Sequence, residues 1–113
     1  MAKKEQEIHE TDSITWEPVA GSQGIFEKVL NVDPATGSVT RLLKYEPGTR
    51  TEEILTHDFH EEILVLEGSF IDTRSNVAFE KGYYGYRHPG MVHGPYYSAG
   101  GMMTFEIRNY EKP

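Results

Sequence analysis

The sequence predicts an all-β domain, a sandwich or a barrel built from short strands. From Trp16 onward, short apolar stretches alternate with Gly- and Pro-containing turns, the spacing of a multistranded β fold. No window of about 11 residues or longer repeats its apolar positions at the 3.6-residue period of an amphipathic helix. A chain of 113 residues is expected to form one domain and can bury a core without disulfides.

Each element follows from its own signal. Residues 1–13 are polar and aperiodic and are expected to be a mobile tail, leaving 14–113 as the single folded domain. Glu17-Pro18 and the glycines at 21 and 24 punctuate the first part, and residues 25–32 read as a strand. Asp33-Pro34-Ala35-Thr36-Gly37 is a turn, because proline presets φ and glycine permits positive φ. Residues 39–45 form the next strand, closed by Glu46-Pro47-Gly48. Residues 63–66 are apolar at both parities, which predicts a strand covered on both faces. After a break at Gly68, Phe70-Ile71 continue, 72–76 turn, and 77–79 form a short strand. Residues 83–86 lead into the Pro89-Gly90 turn, and 102–108 form the last strand. There is no internal repeat and no low-complexity linker.

Composition excludes several functions. Eighteen acidic residues against 11 basic ones give a net charge of −7, which opposes binding to nucleic acid or to an anionic membrane surface. No apolar run approaches the roughly 20 residues that span a bilayer. The two lysines near the start precede no apolar segment, so no secretory signal is expected. The absence of cysteine rules out disulfides, zinc–thiolate sites and cysteine nucleophiles, and suits a cytoplasmic protein. There is no Gly-rich phosphate loop, no Gly-x-Ser-x-Gly elbow and no helix-borne His-Glu-x-x-His.

Two segments carry chemistry. His57-Asp58-Phe59-His60-Glu61-Glu62 runs directly into the strand that ends near Gly68, and Gly82 to His93 carries a Pro-Gly turn three residues before its last histidine. If residues 57–65 are extended, His57 and Glu61 face the same way as Ile63 and Val65, and His60 and Glu62 face the other. A turn within 57–61 would undo this, so the pattern leaves the choice between Glu61 and Glu62 open. Placed around one ion, His57, Glu61 and His93 make two imidazoles and a carboxylate with open positions, a set that suits non-haem Fe(II) and also Mn, Ni or Zn. The competing reading is a solvated strand edge. His9 falls in the polar tail, and His88 is either a turn residue or sits at a pocket rim. Tyr83, Tyr84, Tyr86, Tyr96 and Tyr97 either fill a small barrel or lend it one or two pocket hydroxyls. Arg41 and Arg108 lie on strands and either stand exposed or pair with a substrate carboxylate.

Together the two segments resemble the paired motifs of the cupins. Six residues intervene between Glu61 and Gly68 and three between His57 and Glu61, as in the first cupin motif, with Gly48 near its leading glycine. Gly82, five residues, His88-Pro89-Gly90, two residues and His93 match the second, with the proline displaced by one. The resemblance covers roughly residues 40–108, and residues 16–30 look like the leading strands of such proteins. It departs at Leu55, where the first motif histidine would stand. The resemblance implies an antiparallel jelly-roll barrel, commonly dimeric, with ligands aimed into its mouth. It implies that His57, Glu61 and His93 hold a divalent metal, Fe(II) foremost, and carry catalysis. His60, Glu62 or His88 would orient these ligands or replace the missing one, and Phe59, Tyr84 and Tyr96 would line the pocket. The implied activity is a dioxygenase acting on a small, β-diketone-like compound. A non-catalytic small-molecule sensor and a metal-dependent isomerase or lyase are the alternatives. A homodimer is expected, because a partner subunit would cover the second face of residues 63–66.

Overall fold

Short β-branched and aromatic runs between turns become the strands of the computed structural model, which describes residues 3–110. Among these residues there are nine: β1 (Glu17–Pro18), β2 (Ile25–Val32), β3 (Val39–Tyr45), β4 (Thr49–Arg50), β5 (His60–Asp72), β6 (Val77–Glu80), β7 (Tyr84–Arg87), β8 (Tyr96–Ser98) and β9 (Met102–Asn109). All pairings are antiparallel, in the order β1-β2-β3-β9-β5-β8-β4, with β6 and β7 also paired to β5. The sheet curls into a half-barrel. No helix among the described residues is long and apolar enough to cross a membrane.

The 13-residue β5 is the spine. Its first half pairs with β7 and β9, its second half with β6 and β8. The sequence suggests a break at Gly68, but the strand runs through it, with a bulge between Val65 and Glu67. Gly68 has φ 71°, and a Cβ there would stand 2.1 Å from the Gly101 carbonyl oxygen. Glycine therefore lets β5 bend past the start of β9, where any side chain would force the backbones apart.

Burial along β5 alternates. Glu61, Ile63 and Val65 are buried, whereas Leu64 is 37% exposed. Within the chain one face of this stretch is covered, and Leu64 stands on the outer surface beside its cross-strand neighbours Tyr84 and Phe105, on the face for which a partner subunit is expected. Ile63 and Val65 join Ile25, Leu43, Tyr45, Phe70, Tyr96 and Met102 in the core, and full burial of each aliphatic side chain contributes about 1.5–3 kcal/mol. The Asp33–Gly37 turn forms as read, with Gly37 N–H donating to the Asp33 carbonyl at 2.7 Å. The three shortest strands (β1, β4 and β8) carry no strand signal in the sequence, being two or three residues long.

Residues 3–10 form no strand but lie along β2 and β3. Lys3 Nζ donates to Thr40 Oγ1 at 2.8 Å, and Asn31 Nδ2 donates to the Lys4 carbonyl at 2.8 Å. The first two residues of the expected tail lie outside the described residues.

Candidate metal centre

Three side chains converge in the hollow of the sheet. His57 lies just ahead of β5, where its carbonyl accepts the Gly90 N–H at 2.8 Å and its ring stacks on Phe59 with centroids 4.3 Å apart. The second-motif turn is thereby tied to the start of the first. Glu61 is on the inward face of β5, 1% exposed. His93 precedes β8 and is pinned by a two-way backbone bridge to Leu55, at 2.7 and 3.0 Å. Ligand atoms of His57, Glu61 and His93 all lie within 4.8 Å of one another. Parity resolves the choice of carboxylate: Glu62 points outward and accepts the Tyr84 hydroxyl at 2.7 Å.

Electrostatics prepare the three groups. Burial lowers the His93 pKa to about 4, helped by the Arg87 charge, so this imidazole is neutral at pH 7. Burial also lowers His57. Burial alone would raise Glu61, but Arg108 and Arg87 outweigh it and hold the carboxyl below its ordinary value. Arg87 Nη1 donates to Oε1 and Arg108 Nε donates to Oε2, both at 2.8 Å. These are direct cross-strand neighbours: Arg87, Glu61 and Arg108 form one inward row across β7, β5 and β9. One residue pair along, Arg41 faces Glu106 across β3 and β9 and is bonded to both Glu106 and Glu27.

The donor set fits a divalent ion. His93 Nε2 is a buried polar atom with no partner in the described structure, a costly state unless a ligand completes it. His93 Nδ1 sits 2.5 Å from the Tyr96 hydroxyl. When Nδ1 carries the proton and donates to Tyr96, the Nε2 lone pair is free to ligate. Each Glu61 oxygen gives one lone pair to an arginine and keeps another. The group adjoins a cavity of about 600 Å³ whose wall includes Ile25, Leu43, Ile63, Phe70, Tyr96 and Met102.

The other sequence candidates fall elsewhere. Leu55, at the missing-histidine position, lines the cavity and packs against the core; it contributes no ligand atom. His60 and His88 do not replace it. His60 Nδ1 contacts the Tyr86 hydroxyl at 2.5 Å on the outer face, and His88 Nδ1 lies 2.9 Å from the Pro89 carbonyl in the exposed turn. Of the pocket-wall candidates, Tyr96 lines the cavity and Phe59 is buried behind His57. Tyr84 is 62% exposed, because its register with Leu64 puts it on the outer face. Arg87 was not singled out from sequence. In Tyr84-Gly85-Tyr86-Arg87 an apolar-inward reading turns the tyrosines in and the arginine out. The pairing Glu61 with Arg87 does the reverse. Arg41, for which exposure is the commoner state, is buried.

A curled antiparallel sheet of this topology with two imidazoles and a carboxylate in its hollow defines the RmlC-like cupin class. The chain belongs to the ChrR cupin-like domain family, whose model matches residues 4–110. Among curated proteins no sequence matches it. Solved structures share its fold at low identity. An RmlC-like cupin from Ralstonia eutropha JMP134 is 21% identical with a TM-score of 0.79, over 94% of this chain and 69% of that one. A polyketide cyclase from Streptomyces resistomycificus is 20% identical with a TM-score of 0.74, over 97% and 82%. An acetylacetone dioxygenase from Acinetobacter johnsonii is 18% identical with a TM-score of 0.73, over 96% and 78%. Likeness at this level speaks for the fold alone, since one fold hosts many chemistries.

Proposed function

We propose that this cupin binds a divalent metal through His57, Glu61 and His93 and acts as a dioxygenase on a small, enolisable carbonyl compound. The observation that supports this reading most is the convergence of the three donors within 4.8 Å, with the His93 Nε2 atom unpartnered. A bound ion supplies Lewis-acid polarisation of a carbonyl and, as Fe(II), access to oxygen chemistry. The chain's own residues do the rest. Tyr96 orients the His93 ring, Phe59 orients the His57 ring, and Arg87 with Arg108 keeps Glu61 ionised. The apolar wall excludes water from the carbon skeleton of a bound ligand. The acetylacetone dioxygenase among the structural neighbours agrees with this reading, and the polyketide cyclase leaves redox-neutral chemistry at the same ligands as its rival.

Elemental mass spectrometry on wild-type protein and on His57→Ala and His93→Ala tests the site. About one ion per chain, lost in both variants, is the expected result. Metal retained at wild-type level in His93→Ala sinks the ligand assignment. Oxygen uptake with β-dicarbonyl compounds then separates the dioxygenase from an isomerase or lyase. Absence of metal after anaerobic loading with Fe(II) leaves a non-catalytic binding protein, a reading favoured by Leu55 standing where a fourth ligand would be.

We also propose a homodimer in which a second copy covers the outer face around Leu64, Phe105 and Leu42, neighbours across β5, β9 and β3. Light scattering at micromolar concentration is expected to give a dimer mass, and Leu64→Glu a monomer mass. A monomeric wild type defeats this proposal.

A further inference from the structure

The cavity holds an arginine that the fold leaves half used. Arg41 has all three guanidinium nitrogens on Glu27 and Glu106. Arg87 spends one terminal nitrogen on Glu61 and the other on the Tyr96 hydroxyl. Arg108 spends only Nε, on Glu61, and its two terminal nitrogens carry no hydrogen bond among the described residues. Its side chain is 24% exposed, and it lines the cavity.

In the row Arg87–Glu61–Arg108 one carboxylate faces two guanidiniums, and in the next row Arg41 faces two carboxylates, Glu27 and Glu106, so the two rows balance in charge. Glu52 and Glu53 also line the cavity, but they are exposed and form no ion pair with the rows. An added divalent ion would make this buried lining net positive, which favours an anionic guest.

Geometry restricts the guest. The Arg108 guanidinium lies over the Phe59 ring, 4.6 Å from its centroid, and His57 stacks on the same ring. Nε is fixed on Glu61 at one edge of the fork, and the ring supports its plane. The two terminal nitrogens are left as a planar fork on a residue that lines the same cavity as His57, a donor pair suited to taking a carboxylate bidentately. The unpartnered His93 Nε2 belongs to a residue lining the same cavity and marks a second polar contact there. Between the two polar positions the wall is aliphatic and aromatic.

We infer that the ligand of this cavity is a short-chain oxo acid, its carboxylate on the terminal nitrogens of Arg108 and its carbonyl oxygen toward His57 and His93. The inference rests on the proposed site in that its carbonyl end lies there, but carboxylate recognition needs only Arg108. It distinguishes the substrate class from a neutral β-diketone, which offers no carboxylate to the terminal nitrogens of Arg108.

Isothermal titration of the full chain with acetoacetate and with acetylacetone tests this, on chelator-treated protein and on Zn(II)-loaded protein. These probes share a short β-dicarbonyl skeleton and differ in the carboxylate. Acetoacetate is expected to bind at least about tenfold more tightly, the effect of one charge-assisted pair. Arg108→Gln is expected to abolish that preference, weakening acetoacetate binding at least about tenfold more than acetylacetone binding, and Arg108→Lys to restore part of it. Equal affinities in the wild type, no binding of either probe, or an undiminished preference in Arg108→Gln overturns the inference. The wild-type comparison stands even if a variant fails to fold. Metal content measured on the same samples separates the two claims. Preference for acetoacetate in protein that takes up no metal keeps this inference and defeats the metal reading, and metal uptake without the preference does the opposite.

Discussion

Glu61→Gln is expected to lower the stability of the metal-free protein by about 3 kcal/mol, the lower end of the range for breaking a buried ion pair. The amide keeps the shape of the side chain and loses its charge. Two guanidiniums then face each other across β7, β5 and β9 with no anion between them. Arg87 is nearly enclosed, with its side chain 13% exposed, so its desolvation is hard to relieve, whereas Arg108 at 24% retains some solvent. That difference is why the lower end of the range is expected. The same replacement at Glu62 leaves an amide oxygen that can still accept the exposed Tyr84 hydroxyl and is expected to cost less than about 0.5 kcal/mol. Urea denaturation with unchanged m-values checks both. A loss below about 1 kcal/mol for Glu61→Gln would mean that the arginines relax into solvent and the row is not held as described.

Acid is expected to destabilise the metal-free protein between about pH 6.5 and pH 4. His93 has a native pKa of about 4, against an ordinary value of 6.5. Above pH 6.5 the imidazole is neutral in both folded and unfolded chains and imposes no penalty. As pH falls through that value, the unfolded chain takes up a proton that the folded chain refuses, and stability declines until the native group titrates. The whole effect is about 3 kcal/mol. His57, also lowered by burial, adds to it with the same sign. Glu61 acts in a lower window. Its depressed pKa contributes stability above the ordinary value of 4.5, and this contribution is lost as pH falls below that. Unfolding free energies measured from pH 8 to pH 4.5 on chelator-treated wild type and on His93→Asn should therefore diverge in slope, the variant being flatter. Parallel curves would show that His93 is not buried as a neutral group. With metal bound the same protons compete with the ion, so affinity is also expected to fall toward acid.

Much of this architecture is legible in the chain because its signals are local. Turns at Asp33–Gly37 and Pro89-Gly90 delimit strands through backbone preferences of the residues themselves. His57, Glu61 and His93 sit at motif spacings within two short segments, and the period of two along β5 places Glu61 inward with Ile63 and Val65. What was not legible is non-local. Whether Tyr84 or Arg87 faces the cavity depends on which β7 residue pairs with Glu61, and a shift of one residue would exchange them. The arginine pairs join residues far apart in sequence: Arg108 and Glu61 are separated by 47 positions, Arg41 and Glu106 by 65. No spacing rule reaches across such distances, so a strand arginine reads as exposed until a facing carboxylate is known. The chain thus encodes a β-barrel with a candidate ligand triad. Strand register then surrounds that triad with guanidiniums, because register alone sets which charged side chains meet inside the sheet.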